Sequence, residues 1–247
     1  MLIIANWKAY VEEAAQAKKL YATAKRLASA SKHELVLAPP APLLSLLSAK
    51  NRSRVAFSAQ DVSASTGGAA TGENTAAAYA AAGASYAIVG HSERRAMGET
   101  DATIALKLRH ALAEGMTPVL CVGERERDLE GHYLSFVRAE ITAALERLEP
   151  KERAQVVLAY EPIWAIGKTA ADAINPNDLA EMVLYLRKVL AELLPGKNPA
   201  KTRILYGGSV EPEGARDLAG GTGVDGFLVG HASVDPKTFS NLVRAVL

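Results

Sequence analysis

The 247 residues include only one cysteine, Cys121. No disulfide can form within the chain, and a cysteine-based metal cluster is excluded. Like charges never run longer than a pair, as at Arg94 and Arg95 or Lys18 and Lys19. The 28 basic and 27 acidic residues leave a net charge of +1, so neither nucleic acid nor a membrane surface is an expected partner. No apolar stretch approaches the ~20 residues that a membrane-spanning helix needs. The opening Met-Leu-Ile-Ile-Ala-Asn-Trp-Lys lacks the basic start and longer apolar region of a signal peptide, and it reads as the first strand of a cytoplasmic protein. That strand is not followed by a glycine-rich dinucleotide fingerprint, since Asn6, Trp7 and Lys8 stand there instead. No low-complexity linker divides the chain.

What the chain does have is a rhythm. Short apolar, β-branched runs recur at Leu2–Ala5, Leu35–Ala38, Val55–Ser58, Tyr86–Val89, Pro118–Val122, Val156–Tyr160, Arg203–Tyr206 and Gly226–Val229. Helical periodicity fills the intervals, at Glu12–Leu27, Thr75–Ala82, Asp101–Ala113, Leu134–Leu148, Pro176–Leu194, Pro212–Leu218 and Pro236–Val246. Asn175 with Pro176, and Asp235 with Pro236, supply helix-start chemistry. Continuous apolar strands alternating with helices indicate a parallel sheet covered by helices. Eight such repeats predict a single (β/α)8 barrel domain over residues 1–247, because an open doubly wound sheet of this length carries about six strands.

Active sites of such barrels lie at the C-terminal ends of the strands. Five strand ends carry chemistry: Asn6 and Lys8 after the first, Gly90 to Arg95 after the fourth, Glu161 and Pro162 after the sixth, Gly207 to Ser209 after the seventh, and Gly230 to Ser233 after the eighth. Glu161 closes an apolar strand, and a carboxylate held partly out of water is a better proton acceptor near neutral pH. His91 precedes a short polar stretch with the makings of a helical turn, where backbone N–H groups favour a neutral imidazole. Lys8, with Glu93 as counter-charge, is suited to attract an anion. The glycine turns at 207–208 and 230 lead into helices whose first N–H groups can hold a phosphate. Pro162–Thr169 reads as a lid over the site. His33, His110 and His132 read as surface residues.

Together these segments resemble the triosephosphate isomerase family, in order and over nearly the whole chain. The matching stretches are Ala-Asn-Trp-Lys (5–8), Gly-Ala-Ala-Thr-Gly-Glu (68–73), Val-Gly-His-Ser-Glu-Arg-Arg (89–95), Cys-Val-Gly-Glu (121–124), Ala-Tyr-Glu-Pro-Ile-Trp-Ala-Ile-Gly (159–167), Tyr-Gly-Gly-Ser-Val (206–210) and Asp-Gly-Phe-Leu-Val-Gly (225–230). The resemblance implies Glu161 as base, His91 as electrophile, Asn6 and Lys8 on the substrate oxygens, and Glu93 behind Lys8. It implies a phosphate held by N–H groups of Gly167, Ser209, Gly230 and His231. The implied reaction interconverts dihydroxyacetone phosphate and glyceraldehyde 3-phosphate through an enediolate, in glycolysis and gluconeogenesis, with neither metal nor organic cofactor. It further implies a homodimer joined through the loop 65–75. The chain departs from the family pattern at His231, where a second glycine is usual, and in the lid, where Lys168 and Thr169 follow Gly167 directly. These differences leave a tetrose phosphate as an alternative substrate, and a non-catalytic phosphate-binding barrel as an alternative function. At position 231 a helical backbone is expected rather than one with positive φ, since histidine would be strained by the latter.

Overall fold

The structure is a computed structural model that describes residues 1–166, 174–194, 196 and 198–247. Eight parallel strands close into a barrel in sequence order: β1 (Leu2–Asn6), β2 (Glu34–Ala38), β3 (Ala56–Ala59), β4 (Tyr86–Val89), β5 (Thr117–Val122), β6 (Val157–Tyr160), β7 (Ile204–Tyr206) and β8 (Gly226–Val229). The seam joins β1 to β8, with Leu2 opposite Gly226 and Ala5 opposite Val229. The expected (β/α)8 barrel is thus the fold observed.

Outside the barrel lie α1 (Ala14–Ala30), α2 (Ala41–Ser48), α3 (Ala76–Ala81), α4 (Ser92–Ala96), α5 (Asp101–Ala113), α6 (His132–Leu145), α7 (Pro150–Arg153), α8 (Pro176–Leu193), α9 (Pro212–Ala219) and α10 (Pro236–Ala245). Each longer helix buries one stripe. In α1 the stripe is Ala17, Leu20, Ala24, Leu27 and Ala28, and in α8 it is Leu179, Met182, Val183, Leu186, Val189 and Leu190. The three-and-four spacing keeps these residues on the face turned to the sheet. Helix α2 falls where no helix is expected from periodicity, because its Pro42 and the prolines at 39 and 40 read as breakers; Pro42 sits in the first turn, where it is tolerated.

Two apolar layers follow from the period of two along each strand. Ile3, Ala5, Leu35, Leu37, Ala87, Val89, Leu158 and Tyr160 pack outward against the helices. Leu2, Ile4, Val36, Ala38, Tyr86, Ile88, Val119, Cys121, Val157, Ala159, Leu205 and Leu228 fill the barrel interior. Two of the three histidines expected at the surface are instead half-buried. His33 packs its ring nitrogen against the N-terminal ammonium at 3.3 Å. His110 faces the Ser63 carbonyl, while His132 is exposed as expected.

Candidate active site

The inward alternation does not stop where strand pairing stops. Leu2 and Ile4 are followed on the same face by Asn6, and Val157 and Ala159 by Glu161. By the same count Gly90, Gly123, Gly207 and Gly230 continue the inward faces of β4, β5, β7 and β8. A cleft of about 440 Å³ opens there, lined by Asn6, Lys8, His91, Glu93, Glu161, Ser209, Gly230 and His231 among others. Every site residue expected from the sequence therefore lines one cavity, except Gly167, which lies outside the described residues. The expected lid is described only as far as Ile166, which also lines the cleft.

Glu161 is 2% exposed. Its Oε1 lies 3.2 Å from His91 Nε2, and its Oε2 accepts the Ser92 N–H at 3.1 Å. His91 caps the N-terminus of α4, and its Nδ1 accepts the Glu93 N–H at 3.2 Å. A Glu93 carboxylate oxygen also faces Nδ1, but at 3.8 Å it is beyond hydrogen-bond reach. The N–H therefore decides the tautomer: Nδ1 keeps its lone pair, and the proton of the neutral ring sits on Nε2, pointed at Glu161. Arg95 Nε donates to the carbonyl of Gly90 at 3.0 Å, fixing the turn from which His91 projects.

Lys8 is the one non-glycine among the described residues with positive φ, at 47°. That backbone costs about 1 kcal/mol, and it persists because neighbours determine it. The Lys8 N–H donates to Asn6 Oδ1 at 3.1 Å, and its carbonyl accepts Gln60 Nε2 at 2.9 Å, a nitrogen that also bonds Ala38. The ammonium then reaches Glu93 Oε1 at 2.7 Å. Burial pushes the Glu93 carboxyl up, yet the Lys8 ammonium outweighs it and holds the group below its ordinary range. Glu93 is 60% exposed on its side chain, so it stands at the rim beside Lys8 and not behind it.

On the neighbouring strand end, after β8, His231 begins a 3-10 turn through Ser233 and has negative φ, as expected. Its ring stands edge-on to Tyr10, with centroids 5.7 Å apart. Beneath the first residues of the expected lid, Glu124 Oε1 accepts from Tyr160 Oη at 2.7 Å, Trp164 Nε1 at 2.8 Å and Arg127 Nε at 3.0 Å. Trp164 is thereby half-buried. One neighbour of Glu161 escapes the sequence reading. The Cys121 thiol is buried beside its carboxylate, with burial first and that carboxylate second pushing the thiol's titration up. Gly207, read from the sequence as part of a phosphate turn, also lies against the Glu161 Cγ. Cys121 is legible in hindsight as the inward residue of β5, paired in register with Ala159 two residues before the base.

The resemblance of the sequence extends to whole proteins. A family model described as triosephosphate isomerase matches residues 1–246. The triosephosphate isomerase of Thermus thermophilus is 41% identical over 249 residues, covering 99% of this chain and 98% of that protein. That of Cupriavidus necator is 42% identical over 244 residues, covering 96% of each. That of Leifsonia xyli subsp. xyli is 40% identical over 252 residues, covering 98% of this chain and 96% of that protein. With the barrel and its cleft, a match this long places the chain in a known group: it belongs to the triosephosphate isomerase family.

Proposed function

We propose that this chain interconverts dihydroxyacetone phosphate and glyceraldehyde 3-phosphate by moving one proton between adjacent carbons. The observation that carries the reading is the buried Glu161 carboxylate at 3.2 Å from a histidine nitrogen whose ring partner is already engaged. Glu161 takes the carbon-bound proton, exchanging its contacts with Ser92 and His91 for the substrate. His91 donates from Nε2 to the substrate oxygen, where negative charge develops as the enediolate forms. Lys8 and Asn6 face the same region and add a cation and an amide, with Glu93 holding Lys8 in place. The phosphate is held by N–H groups of Ser209, Gly230 and His231 in the turns after β7 and β8. These steps use the chain's own side chains and backbone N–H groups.

The chain acts as one domain, in the cytoplasm, and pairs as a homodimer through residues 65–75. Two features support pairing. This loop follows β3 and is largely exposed. Tyr10, Leu46 and Met97, all large and exposed, follow the neighbouring strands β1, β2 and β4. Together they place exposed apolar side chains on the segments that follow the strands around an exposed loop.

A coupled assay on glyceraldehyde 3-phosphate tests the reading, with four-carbon phosphates run alongside. Turnover is expected on the triose, and Glu161→Gln is expected to lower kcat by at least roughly a thousandfold, near the upper range for loss of a general base. Sulfate should inhibit wild type and variant at similar concentrations. A variant that keeps a tenth of the parent kcat would remove Glu161 from its role.

A further inference from the structure

Both proton-transfer side chains stand on backbone that is gripped from outside the barrel. Glu140, on α6, is 6% exposed and is not among the residues that line the cleft. Its Oε2 accepts the Gly123 N–H at 2.9 Å, and its Oε1 lies 3.3 Å from Arg95 Nη1. The same Nη1 meets Asp101 at 2.6 Å, and Arg95 Nε holds the Gly90 carbonyl immediately before His91. Gly123 lies between two ties that bind β5 to the base: the Val122 carbonyl accepts the Glu161 N–H at 2.8 Å, and the Glu124 carbonyl accepts the Ile163 N–H at 2.9 Å. The backbones touch there, since a Cβ built on Gly123 would lie 1.9 Å from the Glu161 carbonyl oxygen.

We propose that Glu140 is a positioning residue for the isomerisation, acting through Gly123 on Glu161 and through Arg95 on the turn that carries His91. The inference rests on the isomerase reading above. One buried cluster then sets the spacing of base and electrophile, and displacement by about 1 Å can cost on the order of a hundredfold in rate. The phosphate end, on β7 and β8, has no part in the cluster, so binding and turnover should separate. Charged groups facing Glu140 are Arg95 and Asp101, with Glu161 beyond Gly123, while Glu99 and Arg125 line the cavity next to it. Burial first, with Asp101 and Glu161 adding to it, raises the Glu140 carboxyl to about 7 against the pull of Arg95 and the Gly123 N–H. Its charge therefore changes within the working range of an assay, and the ionised form grips both partners harder.

Steady-state kinetics of Glu140→Leu and Glu140→Gln, each beside the unmodified chain, test this. Leucine removes the acceptor for Gly123 and the partner of Arg95, so kcat should fall about tenfold or more with KM within about twofold. Glutamine keeps a carbonyl for Gly123 but no charge. It should recover most of kcat at pH 6, and the ratio of parent to Gln kcat should rise to about threefold at pH 8. A folded Leu variant with the parent's kcat would overturn the proposal. If the Leu variant does not fold, a parent-to-Gln ratio that is flat from pH 6 to 8 overturns it alone. No turnover by the unmodified chain removes the isomerase reading first, and the role of Glu140 with it.

Discussion

A methyl group at position 207 would lie 2.9 Å from Glu161 Cγ, closer than a real Cβ approaches another atom. Either the base or the turn after β7 must give way, so Gly207→Ala should lower kcat by roughly tenfold or more while leaving thermal stability nearly unchanged. A Gly207→Ala enzyme with parental kcat would mean that the carboxylate's place does not depend on this gap. His231 offers a different test, because its imidazole lines the cleft beside Tyr10 and Lys8. A ring N–H at this place can donate to a phosphate oxygen. His231→Gly should then raise KM several-fold, with kcat little altered because ground and transition states share the contact. An unchanged KM would leave the ring without a part in binding. At this scale the sequence names the reacting groups but not their poses. The tautomer of His91 depends on an N–H two residues on, and the left-handed backbone of Lys8 on Asn6 and Gln60, none of which a motif encodes.

The element α10 shows how local chemistry fixes a helix end. Asp235 accepts the Thr238 N–H at 2.8 Å and its hydroxyl at 2.9 Å, with Pro236 in the first turn. These hydrogen bonds, the backbone one foremost, hold the Asp235 carboxyl below the ordinary aspartate range. Removing this cap by Asp235→Ala should cost about 1 kcal/mol in urea unfolding at neutral pH. A depressed native value means that the stability is present above the unfolded aspartate pKa of about 3.9 and fades as pH falls through the native one. The gap between parent and variant should therefore shrink below about pH 4, and a gap that widened there would contradict the cap. Asn175 does the same for α8, accepting the Asp178 N–H at 2.9 Å, and both caps were legible because Asn-Pro and Asp-Pro announce them. Strand positions were legible to within one or two residues, since β-branched runs mark the sheet but pairing geometry sets the ends. Helices α2 and α7 were not: one is crowded by prolines and the other is a single turn, too short to carry a period.

For the whole molecule, the exposed loop 65–75 and the exposed Tyr10, Leu46 and Met97 predict two chains in solution. Light scattering at micromolar concentration should give a mass near twice 26.1 kDa, and a mass of one chain would refute the pairing. The seam of the barrel has a bearing on how the chain is made. Strand β1 pairs with β2 as soon as Glu34–Ala38 exist, but its other edge waits for Gly226–Val229, the eighth strand of the ring. Gly226 admits no side chain there, because a Cβ would fall 1.7 Å from the Leu2 carbonyl oxygen. Until that glycine leaves the ribosome, the apolar edge of Leu2–Asn6 is an unpaired strand open to the wrong partner. Closure of the ring thus waits for the eighth strand, and the loop-closure entropy of the whole segment between β1 and β8 falls due at that moment.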